Sequence, residues 1–134
     1  MDIKEVKEHL RGPMIPVITH LKADLSVDAE AITKEVGHLV ERGMVTGKGV
    51  LLAVGAGGDC NMLSVAERKT AAQAIVTGAA GRVPVLVGAQ DTNVNVMIEM
   101  AQFADEIGAD GYGIDASDAV RAVRQSLGLA ALPT

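Results

Sequence analysis

A glycine-rich run is the segment of this sequence whose composition best fits the binding of a small molecule. It follows the apolar run 49–54, which has the length of a buried β-strand. Successive glycines at the carboxyl end of a parallel strand expose backbone N–H groups, and these can form a concave site for a carboxylate or a phosphate. The alternative is a tight strand-to-helix turn in which glycine is needed only for a positive φ angle. The sequence leaves both interpretations open, and the candidate binding residues are Gly55, Ala56, Gly57, Gly58 and Asp59.

Two common nucleotide-binding motifs are excluded at this loop. A dinucleotide-binding G-x-G-x-x-G would need glycine at position 60, where the sequence has Cys60. A P-loop would need a Gly-Lys-Ser or Gly-Lys-Thr triplet after the loop, and no such triplet follows. Cys60 has no histidine near it in the sequence, so we interpret it as a small apolar residue rather than a nucleophile.

The other ionisable side chains form no evident catalytic set. His20 follows the first predicted strand, at the end of the sheet where barrels place chemistry, but we interpret it as a solvated loop residue. His9 and His38 lie on predicted helices and are interpreted as structural. Lys48 is the lysine nearest to an inner strand, yet it precedes the second strand and so lies at the wrong end of the sheet. No spacing typical of metal ligands occurs, and we expect neither a metal nor a cofactor.

The segments around these residues alternate between strand and helix patterns. Short apolar runs predict strands over 14–19, 49–54, 83–87 and 111–114. Helical spacing predicts a leading helix over 2–10 and further helices over 28–42, from 64 to about 78, and over 93–107 and 117–127. Ser64 and Glu67 have the spacing of a capping box, and Pro16 places the first strand at an end or edge of a sheet.

This βα alternation predicts a parallel sheet. Crossovers between parallel strands are nearly always right-handed, so four consecutive units form either an open sheet or an arc of a barrel. The helix over 93–107 should face the sheet with its apolar stripe, and Tyr112 in the fourth strand is interpreted as a core or lining residue. The predicted inward-facing residues of that helix are Val94, Met97, Ile98, Ala101 and Ala104.

Composition limits the class of protein further. The chain has 134 residues, which suits one domain, and a net charge of −5, so no basic patch for nucleic acid is expected. Its single cysteine excludes an intrachain disulfide and fits a reducing cytoplasm. No apolar stretch is long enough to cross a membrane, and we expect a cytoplasmic protein.

Five segments in series resemble the dihydrodipicolinate synthase / N-acetylneuraminate lyase family. The glycine-rich run lies where that family has Gly-Thr-Thr-Gly-Glu, so that Ala56 and Gly57 replace the two threonines. The other segments are similar to the family's first strand, its Leu-Ser-x-x-Glu-Arg helix start, its third strand and its Gly-Ala-Asp-Gly approach to the fourth strand. These stand at 12–19, 63–68, 81–88 and 104–111.

The resemblance implies a (β/α)8 barrel, of which this chain would form strands one to four as a half-barrel. Residues 1–134 are then one partial barrel domain with a final helix. The family's barrel needs about 250 residues. Family members cleave or condense pyruvate-type 2-keto acids through a Schiff-base lysine on the sixth strand, with a proton-relaying tyrosine on the fifth. The loop at Gly55–Asp59 would hold the keto acid's carboxylate, but it lacks the threonine hydroxyls of the family's proton relay.

No residue of this sequence can be assigned to the Schiff-base lysine or to the relay tyrosine. After the fourth strand the sequence reads Asp115-Ala116-Ser117-Asp118, where the family has Pro-Tyr-Tyr. We therefore expect a shortened family member that is not catalytic on its own. The alternative is a non-catalytic half-barrel, either carboxylate-binding or purely structural, that assembles with itself or with a partner chain. Open sheet edges favour a homo-oligomer or a partner.

Overall fold

The computed structural model describes residues 2–113, together with residues 125 and 128. Helix α1 (Ile3–His9) comes first and is followed by strand β1 (Met14–Pro16) and helix α2 (Ala29–Glu41). Strand β2 (Val50–Ala53) leads through two 3-10 turns, Ala56–Gly58 and Cys60–Met62, into helix α3 (Val65–Ala79). Strand β3 (Val85–Gly88), helix α4 (Val94–Glu106) and strand β4 (Gly111–Gly113) complete the described order. The predicted final helix over 117–127 lies, apart from residue 125, outside the described residues.

The four strands form one parallel sheet in the order β1-β2-β3-β4, which confirms the predicted topology. Its register places Ile15 beside Leu51 and Leu51 beside Val85. Because neighbouring strands run in the same direction, their carboxyl ends meet at one edge of the sheet. β1 is an edge strand of this sheet, as its proline indicated, but it is three residues long rather than six.

The helices begin and end where local sequence signals predict. Asp28 accepts a hydrogen bond from the Ala31 N–H at 3.0 Å at the start of α2. At the start of α3, Ser64 and Glu67 form the predicted capping box, in which the glutamate accepts from the Ser64 N–H at 2.8 Å. These caps satisfy backbone groups that the first turn of a helix otherwise leaves unpaired.

The hydrophobic core lies between the sheet and helices α2, α3 and α4. Alternate residues of β2 and β3 join it, because successive side chains of a strand point to opposite faces. Leu52 and Leu86, which point to the other face, are only partly buried. One prediction for α4 was wrong: Val94 is 43% exposed, whereas Met100 is fully buried. The buried residues of α4 are Met97, Met100, Ala101 and Ala104.

No helix in the described part of the chain combines the length and the apolar character needed to span a membrane.

Candidate functional site

The glycine loop begins where β2 ends. The Gly58 N–H donates to the Gly55 carbonyl at 2.9 Å, and the Asp59 N–H donates to the Ala56 carbonyl at 3.3 Å. The Cys60 N–H also reaches the Gly55 carbonyl, at 3.4 Å. These bonds close the segment into a compact turn at the carboxyl edge of the sheet, where ligands of parallel α/β proteins bind.

Two backbone donors of this turn are not used by the turn itself. Among the described residues, no acceptor is hydrogen-bonded to the N–H groups of Ala56 and Gly57. Both residues are exposed, whereas Gly55 and Gly58 on either side are buried. Two adjacent N–H groups without an acceptor in the turn can donate to the oxygens of one carboxylate or phosphate.

The glycines of the loop are required by close contacts rather than by positive φ angles. The interpretation that glycine is needed there for positive φ was wrong, because the positive φ angles belong to Val54 at 45° and Asp59 at 58°. A Cβ on Gly57 would lie 2.8 Å from Pro16 Cβ, and one on Gly58 would lie 2.8 Å from a carbonyl oxygen of the β1 segment. Larger side chains at these positions would therefore push the loop away from β1.

Side chains from the two neighbouring strand ends contact the loop. From the β1 side, the Thr19 hydroxyl donates to the Gly58 carbonyl at 2.8 Å. From the β3 side, Gln90 Nε2 donates to Cys60 Sγ at 3.3 Å. The loop is thus held between two polar side chains that lie 39 and 30 residues away in the sequence. Sequence reasoning missed both contacts, since only the parallel pairing brings these positions together.

Arg68 is a further residue that sequence reasoning did not single out. It lies in α3 and is 3% exposed. Its guanidinium donates to Asp91 Oδ2 at 3.0 Å, to the Gly88 carbonyl at 3.1 Å and to the Gln90 carbonyl at 3.0 Å. Arg68 therefore fixes the segment that follows β3. Its position at the end of the Leu-Ser-x-x-Glu-Arg pattern was the only sequence signal.

The other candidate residues lie apart from the loop donors or serve other contacts. Cys60 is buried and accepts the Gln90 hydrogen bond, so its environment is that of a packed residue. His20 is not a freely solvated residue, because its Nε2 lies 2.6 Å from Glu35 Oε2. His9 contacts Asp110 at 2.6 Å and joins α1 to the chain before β4. Tyr112 packs against the hydrophobic core, as predicted.

A cavity of about 500 Å³ lies beside the loop. Asp59 and Thr19 line it, together with the apolar side chains Leu21, Leu25 and Met62. A larger cavity of about 680 Å³ runs along α2 and contains no residue of the loop, so we do not connect it with ligand binding there. The lining of the loop cavity therefore combines apolar side chains with the Asp59 carboxylate.

Charge near the loop is negative. Glu67 also lines the loop cavity, and its hydrogen bonds from the Ser64 hydroxyl and N–H hold the pKa of its carboxyl below the usual range. Nowhere in residues 2–113 do three metal-binding side chains come together. Any anion at Ala56 and Gly57 would therefore depend on neutral N–H donors and would meet repulsion from Asp59.

Comparison with known proteins gives a consistent picture. The model of the dihydrodipicolinate synthetase family matches residues 9–114. The 4-hydroxy-tetrahydrodipicolinate synthase of Saccharophagus degradans is 36% identical over 101 residues, which are 75% of this chain and 33% of that protein. The enzyme of the same description from Ruegeria pomeroyi is 37% identical over 100 residues, with the same coverage. The chain spans about a third of the length of these curated relatives.

Solved structures share the fold. YagE, a prophage protein of the dihydrodipicolinic acid synthase family from Escherichia coli K12, was crystallised in complex with pyruvate. It is 29% identical with a TM-score of 0.77, and the match covers 89% of this chain and 42% of that one. The dihydrodipicolinate synthase of Aquifex aeolicus also has a TM-score of 0.77, over 90% of this chain and 43% of its own, at 23% identity. That second likeness concerns the fold alone.

Proposed function

This chain belongs to the dihydrodipicolinate synthetase family, and we propose that its loop 55–59 binds the carboxylate of a small 2-keto acid. The observation that carries the proposal is that Ala56 and Gly57 are exposed residues whose N–H groups have no acceptor among the described residues. By resemblance, these residues align with the loop that holds the substrate carboxylate in the family. The complex of the E. coli relative with pyruvate supports the choice of ligand class.

The binding should be weak. Each hydrogen bond from a backbone N–H to a charged carboxylate contributes about 1.5–3 kcal/mol, so two of them, set against the entropic cost of association, give a Kd on the order of millimolar. The carboxylate of Asp59, two residues after Gly57, opposes the anion further. A keto acid with an apolar tail would gain additional contact from Leu21 and Met62 in the adjoining cavity.

Ala56→Pro tests the proposal with little disturbance of the backbone. Proline removes the Ala56 N–H, and Ala56 is the first residue of a 3-10 turn, where proline is tolerated. Gly55 before it is extended, with φ −78° and ψ −169°, which suits a residue that precedes proline. We expect Ala56→Pro to weaken pyruvate binding about tenfold, because one hydrogen bond to the carboxylate is lost, whereas Ala56→Ser keeps the N–H and should retain the affinity.

The measurement is a titration with pyruvate followed by amide resonances. In the wild type, the Gly57 amide should shift with pyruvate and with acetate but not with the uncharged analogue acetone. Equal affinity of Ala56→Pro and Ala56→Ser for pyruvate would contradict a role for the Ala56 N–H. A wild type whose loop amides do not respond would leave the structural half-barrel as the better function.

We also propose that this 134-residue chain forms no Schiff base on its own. All six lysines lie within the described residues, and none of them is buried. Lys48 is exposed and stands before β2, at the opposite end of that strand from the loop. A Schiff-base lysine is activated by burial in an apolar pocket, and none of these lysines has that environment. Borohydride reduction with pyruvate should give no stoichiometric mass adduct; one on Lys48 would refute this.

Finally, we propose that residues 1–134 act as one partial barrel domain that assembles with a second copy or a partner. The β1 edge strand is exposed at Met14, whose side chain is 52% accessible. Open strand edges and apolar residues on the barrel-interior face favour pairing with another chain. The assembly would be the setting in which bound keto acid meets residues that this chain lacks.

A further inference from the structure

We propose that Gln90 is a positioning residue for the carboxylate loop, acting through Cys60. This inference rests on the proposed function, because what Gln90 positions is the pair of N–H donors at Ala56 and Gly57. Gln90 is not part of the loop, and none of the loop's donors contacts it directly. Within the described part of the chain, the side chain of Gln90 makes one hydrogen bond, which Nε2 donates to Cys60 Sγ at 3.3 Å.

The Cys60 side chain links Gln90 to the turn. Cys60 is 5% exposed, so its sulfur has little access to water. Its backbone N–H donates to the Gly55 carbonyl at 3.4 Å, the same oxygen that accepts from Gly58 at 2.9 Å. Its thiol donates onward to Asn61 Oδ1 at 3.6 Å. A shift of Cys60 would therefore change the closure of the turn that carries the N–H groups of Ala56 and Gly57.

Gln90 is itself held in place from two directions. Arg68, which is nearly fully buried, donates to the Gln90 carbonyl at 3.0 Å and to the Gly88 carbonyl at 3.1 Å. Gly88 makes room for the Gln90 side chain, since a Cβ at Gly88 would lie 2.8 Å from Gln90 Oε1. It would also lie 2.6 Å from the carbonyl oxygen of Val54, which directly precedes the loop.

The contacts thus run from α3 through the end of β3 to the loop after β2. On the opposite side, Thr19 donates to the Gly58 carbonyl at 2.8 Å. Thr19 donates a hydrogen bond to a carbonyl inside the loop, whereas Gln90 donates one to the residue that follows the loop. A purely structural role for Gln90 would lower stability without a selective change at the loop, and the two roles can therefore be separated by experiment.

The test compares Gln90→Met with Gln102→Met and with variants of Cys60. Methionine keeps the length of glutamine and removes the donor. Gln102 is exposed on α4 and serves as the matched control for the same chemical change. We expect Gln90→Met to weaken pyruvate binding about two- to fivefold, a small effect because the lost acceptor, the Cys60 sulfur, forms only weak hydrogen bonds. The melting temperature of Gln90→Met should stay close to that of Gln102→Met.

A double-mutant cycle identifies the route. If Gln90 acts through Cys60, Gln90→Met should add no further loss of affinity in a Cys60→Ala background. Full additivity, or unchanged pyruvate affinity in Gln90→Met alone, would overturn the inference. Pyruvate affinity and melting temperature are measured on the same samples, so that an effect on folding alone is recognised.

Hydrogen exchange distinguishes failure of this inference from failure of the proposed function. If the wild type does not bind pyruvate, the proposed function is wrong, and the positioning role is judged on the free protein. Faster exchange of the Gly58 and Cys60 amides in Gln90→Met, but not in Gln102→Met, would support positioning. Identical exchange rates in the two variants would refute it.

Discussion

Replacement of Arg68 by methionine should be among the most destabilising single changes in the described part of the chain. The guanidinium is 3% exposed and makes three hydrogen bonds, to Asp91 and to the carbonyls of Gly88 and Gln90. Methionine fills much of the same volume but leaves a carboxylate without its cation and two carbonyls without donors. Removing one partner of a buried ion pair costs about 3–5 kcal/mol.

Two features of the site place the loss near the lower end of that range. The Asp91 side chain is 25% exposed, so water can replace part of the lost interaction. Within the described residues, Arg68 Nε is buried without a hydrogen-bond partner, and its removal returns about 1 kcal/mol. We therefore expect a loss of about 3 kcal/mol in the free energy of unfolding. For a domain of this size that corresponds to a fall in Tm of roughly 8–15 °C.

Arg82→Met is the matched control. Arg82 also donates to two carbonyls, those of Ala79 at 3.3 Å and Gly78 at 3.1 Å, but it is exposed. Water can replace its hydrogen bonds, so its loss should cost less than about 1 kcal/mol. Urea unfolding of the three proteins measures the difference. Should Arg68→Met and Arg82→Met unfold at the same midpoint, the argument from burial fails. Where Arg68→Met does not fold, Asp91→Asn is measured in its place. Its loss in the free energy of unfolding should lie between that of Arg82→Met and the loss expected for Arg68→Met.

Three further predictions follow from the loop, the helix cap and the sheet. Gly58→Val should abolish pyruvate binding in a titration, because its side chain would meet the carbonyl oxygen of Val17, whereas His20→Ala should hardly change it; the reverse order would contradict the proposed site. The Glu67 carboxyl should titrate below its usual pKa of 4.5, so the capping box stabilises above that pH and is lost as pH falls through the folded pKa. In Ser64→Ala the NMR midpoint of Glu67 should rise toward 4.5, and an unchanged midpoint would remove Ser64 as the cause. At micromolar concentration, light scattering should give a molar mass larger than that of one chain. A monodisperse monomer that also unfolds cooperatively would refute the expected assembly.

The order and direction of the strands could be predicted because they depend on local patterns. The runs at β2 and β3 are apolar at nearly every position, which is typical of buried parallel strands. Ser64 and Glu67 are three residues apart, so their mutual hydrogen bonds are a property of the local sequence. Neither inference requires knowledge of a distant contact.

The buried face of α4 could not be fixed from its sequence alone. The apolar residues of α4 are spread over most of its circumference, so several faces of similar hydrophobicity could be the buried one. The predicted stripe was right for Met97, Ala101 and Ala104, but it included the exposed Val94 and omitted the buried Met100. Packing against β3 and β4 selects the stripe, and that selection is a tertiary effect.

The same limitation explains why the role of the glycines in the loop could not be predicted. A run of glycines is consistent with positive φ angles and with close contacts, and the sequence does not contain the distances that separate them. At the loop, positive φ angles belong to Val54 and Asp59. Gly57 lies against Pro16 of β1, and Gly58 lies against the carbonyl of the residue that follows β1. The loop's polar contacts come from Thr19 and Gln90, which only the parallel pairing of β1, β2 and β3 brings to the loop.

Recognition of a carboxylate and formation of a covalent bond are physically separate tasks in this architecture. The first needs backbone donors at one strand end, and the proposed donors are the N–H groups of Ala56 and Gly57, which lie between side chains from the two neighbouring strand ends. The second needs a desolvated amine, and each lysine of this chain is at least partly exposed. Binding to the loop can therefore be measured without any reaction. A partner that supplies a buried lysine would add chemistry to a loop whose geometry is already set by β1, β2 and β3.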